Sequence, residues 1–92
     1  MTKVLQDVNV GIGLARARNR SGLTQEAACA RMAQHGRPML QSHLANIEAG
    51  RRNIYASDLI AFSRVYGASI DEFFAGLEPV SRYQSEKDQP PG

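Results

Sequence analysis

Gly22-Leu23-Thr24-Gln25-Glu26 opens, and His43-Leu44-Ala45-Asn46-Ile47-Glu48-Ala49-Gly50 closes, the stretch that decides how this chain folds. Thr24 is a good helix N-cap, and Glu26 puts a carboxylate in the first turn, where the helix dipole favours it. Ala28, Cys29 and Met32 recur at helical spacing, and Gly36 with Pro38 marks a stop. A second short helix follows over about Leu40 to Ala49, with Leu44 and Ile47 inward and Gly50 ending it. Two helices joined by a short connection are one way for a small protein to present a helix to a DNA major groove.

The first helix is expected over about Asn9 to Arg20, with Val10, Leu14 and Ala17 on one face. Gly11 and Gly13 each cost it up to ~1 kcal/mol relative to alanine. Leu23 re-enters the core. After the loop Gly50-Arg51-Arg52-Asn53 a fourth helix is expected over Ala56 to Tyr66, burying Leu59, Phe62 and Tyr66 and capped by Tyr55 or Ser57. Ser69-Ile70-Asp71-Glu72 reads as a capping box that starts a fifth helix, which buries Ile70 and one of Phe73 and Phe74. No alternating run or Asn-Gly turn suggests a strand, so the expected architecture is all-α with five helices. Residues 1–8 read as a flexible N-terminus, 9–78 as the folded domain and 79–92 as a polar, Pro-rich disordered tail.

Composition narrows the function. The chain has 92 residues, 42% of them hydrophobic, and no apolar run approaches the ~20 residues of a membrane span. Its first residues lack the apolar core of a signal peptide, and its single cysteine fits a reducing compartment, so a cytoplasmic, nucleoid-associated location is expected. Net charge is only +2, but it is unevenly spread. Residues 1–52 set Lys3, Arg16, Arg18, Arg20, Arg31, Arg37, Arg51 and Arg52 against Asp7, Glu26 and Glu48; residues 53–92 carry a net −3. A basic half opposed to an acidic half suits a polyanion-binding face. No nucleophile–base grouping, carboxylate pair or phosphate-cradling glycine loop suggests an enzyme. His35, His43 and Cys29 match no zinc spacing, so no metal and no cofactor are expected. Cys29 reads as a packed, inert thiol.

Taken in order, Val10-Gly11, Leu14, Arg18, Gly22-Leu23-Thr24-Gln25-Glu26, Leu44, Ile47-Glu48, Gly50-Arg51, Leu59, Phe62, Tyr66-Gly67 and Ser69-Ile70-Asp71-Glu72-Phe73-Phe74 resemble a known pattern. It is that of the helix-turn-helix domain of phage repressors and Cro proteins, also called the XRE family. The ending is also similar to that of actinobacterial developmental regulators carrying this domain. One departure stands out: Thr24 and Glu48 lie five residues farther apart than the family sets them, the excess falling around Ala33 to Pro38.

The resemblance implies a sequence-specific DNA-binding transcriptional regulator of repressor type. It would act as a homodimer on an inverted repeat in double-stranded DNA, with the third helix in the major groove. Gln41, Ser42, His43 and Asn46 are then the base-reading candidates, and their chemistry fits, since Gln and Asn pair bidentately with adenine. Gln25, Arg37, Arg51 and Arg52 are implied phosphate contacts. Arg18 and Glu48 are implied to form a largely buried ion pair between the first and third helices. Phe73, Phe74 and Leu77 crowd a short helix, and one or two of them are expected to face a second subunit. The alternative use of the same fold is as an antitoxin or co-regulator, a module that binds a second protein.

Overall fold

The computed structural model describes residues 9–77 and, for the backbone only, Lys3 and Val4. Five helices follow one another: α1 (Gly11–Arg20), α2 (Gln25–Gln34), α3 (Gln41–Glu48), α4 (Ala56–Tyr66) and α5 (Ile70–Phe74). The five-helix, all-α expectation holds, with one short strand pair added to it. Strand β1 (Lys3–Val4) pairs antiparallel with β2 (Ile54–Tyr55), Lys3 opposite Tyr55 and Val4 opposite Ile54. A two-residue ladder is too short to leave an alternating pattern in sequence, and it ties part of the expected free N-terminus to the lead-in of α4. The expected tail, 79–92, lies outside the described residues.

The helix boundaries follow from local chemistry. Thr24 Oγ1 accepts a hydrogen bond from the Ala27 N–H at 3.1 Å, satisfying a donor that the first turn of α2 leaves orphaned. Ser69 Oγ does the same for Glu72 at the start of α5. At α4, the N-cap position is Tyr55, and the stabilising carboxylate is Asp58, whose Oδ2 accepts from the Tyr55 N–H at 3.3 Å. Gly36, at φ +77°, turns the chain out of α2, and the Arg37 N–H reaches back to the Met32 carbonyl at 2.9 Å. The connection from 35 to 40 is therefore six residues, against the three or four usual in a helix-turn-helix. Two or three of the five extra residues therefore lie in this connection.

The core gathers Leu14, Met32, Leu44, Ile47, Ile54, Phe62 and Phe73, all fully buried, with Val10 and Leu59 beside them. Each such side chain contributes about 1.5–3 kcal/mol by leaving water. Phe62 stacks on Tyr66 with ring centroids 5.5 Å apart, and Tyr66 meets the edge of Phe73 at 6.5 Å. One expectation is corrected here, and one residue is added to the core. Ile70, placed inward by the sequence reading, is 39% exposed, because α5 turns its Phe73 face to α1 and α4 instead. Ile54, between the expected loop and the fourth helix and given no role by the sequence reading, is in the core, where the β1–β2 ladder holds its backbone against the helices.

Gly11 and Gly13 look costly only in isolation. A Cβ on Gly11 would overlap the Ile47 carbonyl oxygen, and one on Gly13 the Phe73 carbonyl oxygen. Both glycines let α1 lie directly on the backbones of α3 and α5. The lost helix propensity is exchanged for close packing.

Candidate nucleic-acid interface

A chain of side-chain bonds carries the first residue of α3 back to the domain interior. The Arg18 guanidinium on α1 grips Glu48 at the end of α3 with two bonds, Nε to Oε2 at 2.7 Å and Nη2 to Oε1 at 3.0 Å. Its Nη1 also donates to the Leu23 carbonyl at 2.9 Å. Both side chains are nearly buried, and the bond to Glu48 holds the Arg18 pKa above its ordinary value. Glu48 Oε1 then accepts from Gln25 Nε2 at 3.0 Å, and Gln25 Oε1 accepts from Gln41 Nε2 at 3.4 Å. Side chains of three helices thereby form one chain that ends at Gln41, its last link the longest and most exposed.

Gln41 and Ser42 are exposed on the first turn of α3, while Leu44 and Ile47 of the same helix are fully buried. The amphipathic pattern decides this: the apolar pair points into the core and carries the amides and hydroxyl outward. Asn46 is half-buried and already engaged, its Oδ1 accepting from Arg51 Nε at 3.2 Å and its carbonyl from the Arg51 N–H at 2.9 Å. It thus anchors Arg51 beyond the end of α3. His43 is half-buried in a cleft of about 290 Å³ shared with Arg51, Arg52, Asn53 and Tyr55. Burial first, and the nearby Arg52 charge second, lower its pKa; Asp58 opposes them. A pKa below the ordinary 6.5 leaves the imidazole neutral at physiological pH, able both to donate and to accept.

Arg51 and Arg52 are exposed, directly after the C-terminal end of α3. Arg37 stands apart from the phosphate role expected of it. Its Nε donates to Asp58 Oδ1 at 2.7 Å, and Asp58 is buried, with its side chain 4% exposed. A carboxylate removed from water demands a cation, so Arg37 pins the inserted connection to α4. Phe73 is likewise corrected as a subunit contact, since it is wholly inside the core. Phe74, 37% exposed, and half-buried Leu77 remain at the surface of α5 and the turn after it.

Sequence reasoning missed Asn53 and Tyr55 as neighbours of His43. The undecided cap of the fourth helix was the only signal, and it could not say that β2 would carry Tyr55 back beside α3. It also missed the pair that seats α5. Arg16 Nη2 donates to the Ala75 carbonyl at 3.0 Å, and Arg20 Nη2 bonds Glu72 Oε2 at 2.9 Å. Among the described residues no group of three or more His, Cys, Asp or Glu would hold a metal ion, and no helix is long and apolar enough to cross a membrane.

A family model described as a helix-turn-helix domain matches residues 10–73, which take in all five helices from the residue before α1 to within one residue of the end of α5. No curated protein and no solved structure matches the chain.

Proposed function

The chain belongs to the helix-turn-helix domain family, whose members bind DNA, and from that premise we propose that it is a sequence-specific transcriptional regulator, a repressor acting as a homodimer. In this reading α3 enters the major groove and its exposed first turn reads base edges. Gln41 and Ser42 lead. Gln41 is the best placed, because an amide already oriented by Gln25 loses less freedom on pairing with adenine. Asn46 and His43 flank them one turn on and beside the groove wall.

Gln25, Arg51 and Arg52 take phosphates on either side. The N–H groups at the start of α2 add the partial positive charge that favours an anion there. The dimer forms through Phe74 and Leu77, whose partly exposed surfaces sit at the end of the fold remote in sequence from α3. Such a dimer would meet half-sites about one DNA turn, ~34 Å, apart on an inverted repeat. The observation that carries the reading is the relay Arg18–Glu48–Gln25–Gln41, which ends at a solvent-facing amide on the helix expected to read DNA.

The test is a salt titration against a duplex selected from random sequence. Gln41→Ala should relax preference at one base step and leave the slope of log K against log salt unchanged. Arg51→Ala should weaken all duplexes alike and flatten that slope by about 0.9. Equal, weak binding of selected and random duplex would sink the regulator reading.

A further inference from the structure

The connection that lengthens this helix-turn-helix builds a second surface. His35 and Arg37, at its start, face Ser57, Ile60, Ala61 and Arg64 of α4 across a cleft of about 210 Å³. The four α4 residues recur at helical spacing and form one stripe of that helix. Ile60 is 47% exposed within it, an unusual position for a large apolar side chain in the middle of a helix whose other face is core. Every ionisable group lining the cleft is basic: His35, Arg37 and Arg64. Asp58, the acid bound to Arg37, is buried beneath and does not line it. The cleft is smaller than the ~300–1,000 Å³ of small-molecule sites, so its room suits a single side chain.

We propose that this cleft is a docking site for an acidic segment of a second protein, one that seats an apolar side chain against Ile60 and Ala61 between carboxylates held by Arg64 and His35. Charge complementarity selects the occupant: with Arg37 already paired to Asp58, the exposed Arg64 supplies the positive charge and His35 a further hydrogen-bond donor, which favours an acidic segment over a basic one. The apolar floor distinguishes a peptide from DNA, whose phosphate backbone has no use for Ile60. An anchor side chain in a small pocket with charged groups around it is how a short segment gains most of its affinity. The Arg37–Asp58 bond gives the site a rigid wall, since it ties the inserted connection to the first turn of α4. This surface uses none of the residues proposed to read bases or take phosphates, so a regulator bound to DNA would keep it available.

The experiment uses the full chain, isotope-labelled for NMR, and a synthetic acetylated and amidated peptide, Glu-Asp-Glu-Leu-Glu-Asp-Glu. The expected result is a saturable set of amide shifts centred on residues 35–37 and 57–64. Ile60→Ser and Arg64→Glu should each weaken it at least tenfold, as should replacing the peptide's leucine by serine, while both variants hold duplex DNA as the parent does. Three results overturn the proposal. One is no shift up to millimolar peptide. Another is a shift map centred on 41–52, which marks general attraction to the DNA-facing arginines. The third is loss of duplex affinity in Arg64→Glu, which gives the face to nucleic acid.

Discussion

Replacing Arg18 by methionine removes the guanidinium that holds α1 and α3 together and leaves Glu48 in place. The Glu48 side chain is 8% exposed and would keep one described donor, Gln25 Nε2 at 3.0 Å, where it now has three. Leaving one partner of a buried ion pair uncompensated costs about 3–5 kcal/mol. A domain of this size is stable by only ~5–15 kcal/mol in all, so the variant should lose a large fraction of its stability. With ~4–8 °C of Tm per kcal/mol for a domain of this size, the midpoint should fall by at least about 12 °C. Urea unfolding followed by circular dichroism measures the loss directly. The double variant Arg18→Met with Glu48→Leu should recover at least about 2 kcal/mol of it, because the buried charge has gone. That double variant also separates folding from binding: Gln25 loses its anchor, so duplex affinity should drop although the helices form. A single-variant loss below about 1 kcal/mol, or a coupling energy near zero, would refute the claim that this pair governs the α1–α3 junction.

Other outcomes follow from the same contacts. Gly13→Ala should destabilise by about 1–3 kcal/mol in urea, although alanine is the better helix former, because its Cβ meets the Phe73 carbonyl; a stabilised variant would deny the close approach of α1 and α5. Stability should decline as pH falls below 6.5, the ordinary histidine value: His43 has a lowered pKa when folded, so the unfolded chain binds more protons in that window. His43→Gln should reduce that slope in urea midpoints compared between pH 5 and 7.5, and an unchanged slope would remove His43 as its source. Phe74→Ser should leave the melting of a dilute sample nearly unchanged, since the ring is 37% exposed, and should shift sedimentation towards monomer; a dimer that survives it lies elsewhere.

Much of the fold was legible because its signals are local. Thr24, Ser69, Gly36 and Gly67 act within a few residues of themselves, and a cap or stop is set by backbone donors and acceptors that the neighbouring sequence supplies. The apolar spacing of Leu14, Leu44, Ile47 and Phe62 states which face of each helix leaves water, and all four are buried. The candidate interface was legible in part. The exposure of Gln41 and Ser42 follows from the inward direction of Leu44 and Ile47 on one short helix.

What only the tertiary structure decided is what distant segments do to one another. Nothing local to Arg37 says that Asp58, twenty-one residues on, will bind it. Likewise nothing near Phe73 says that Gly13 will make room for its backbone, and so turn Phe73 inward and leave Ile70 and Phe74 outside. The β1–β2 ladder belongs to the same class, as do the bond from Asn46 to Arg51 and the cleft around His43. Periodicity specifies a face and its solvent preference; it carries no information on which partner face arrives. That choice is made by packing, where a buried charge must find its counter-charge and two backbones approach only where no Cβ stands between them.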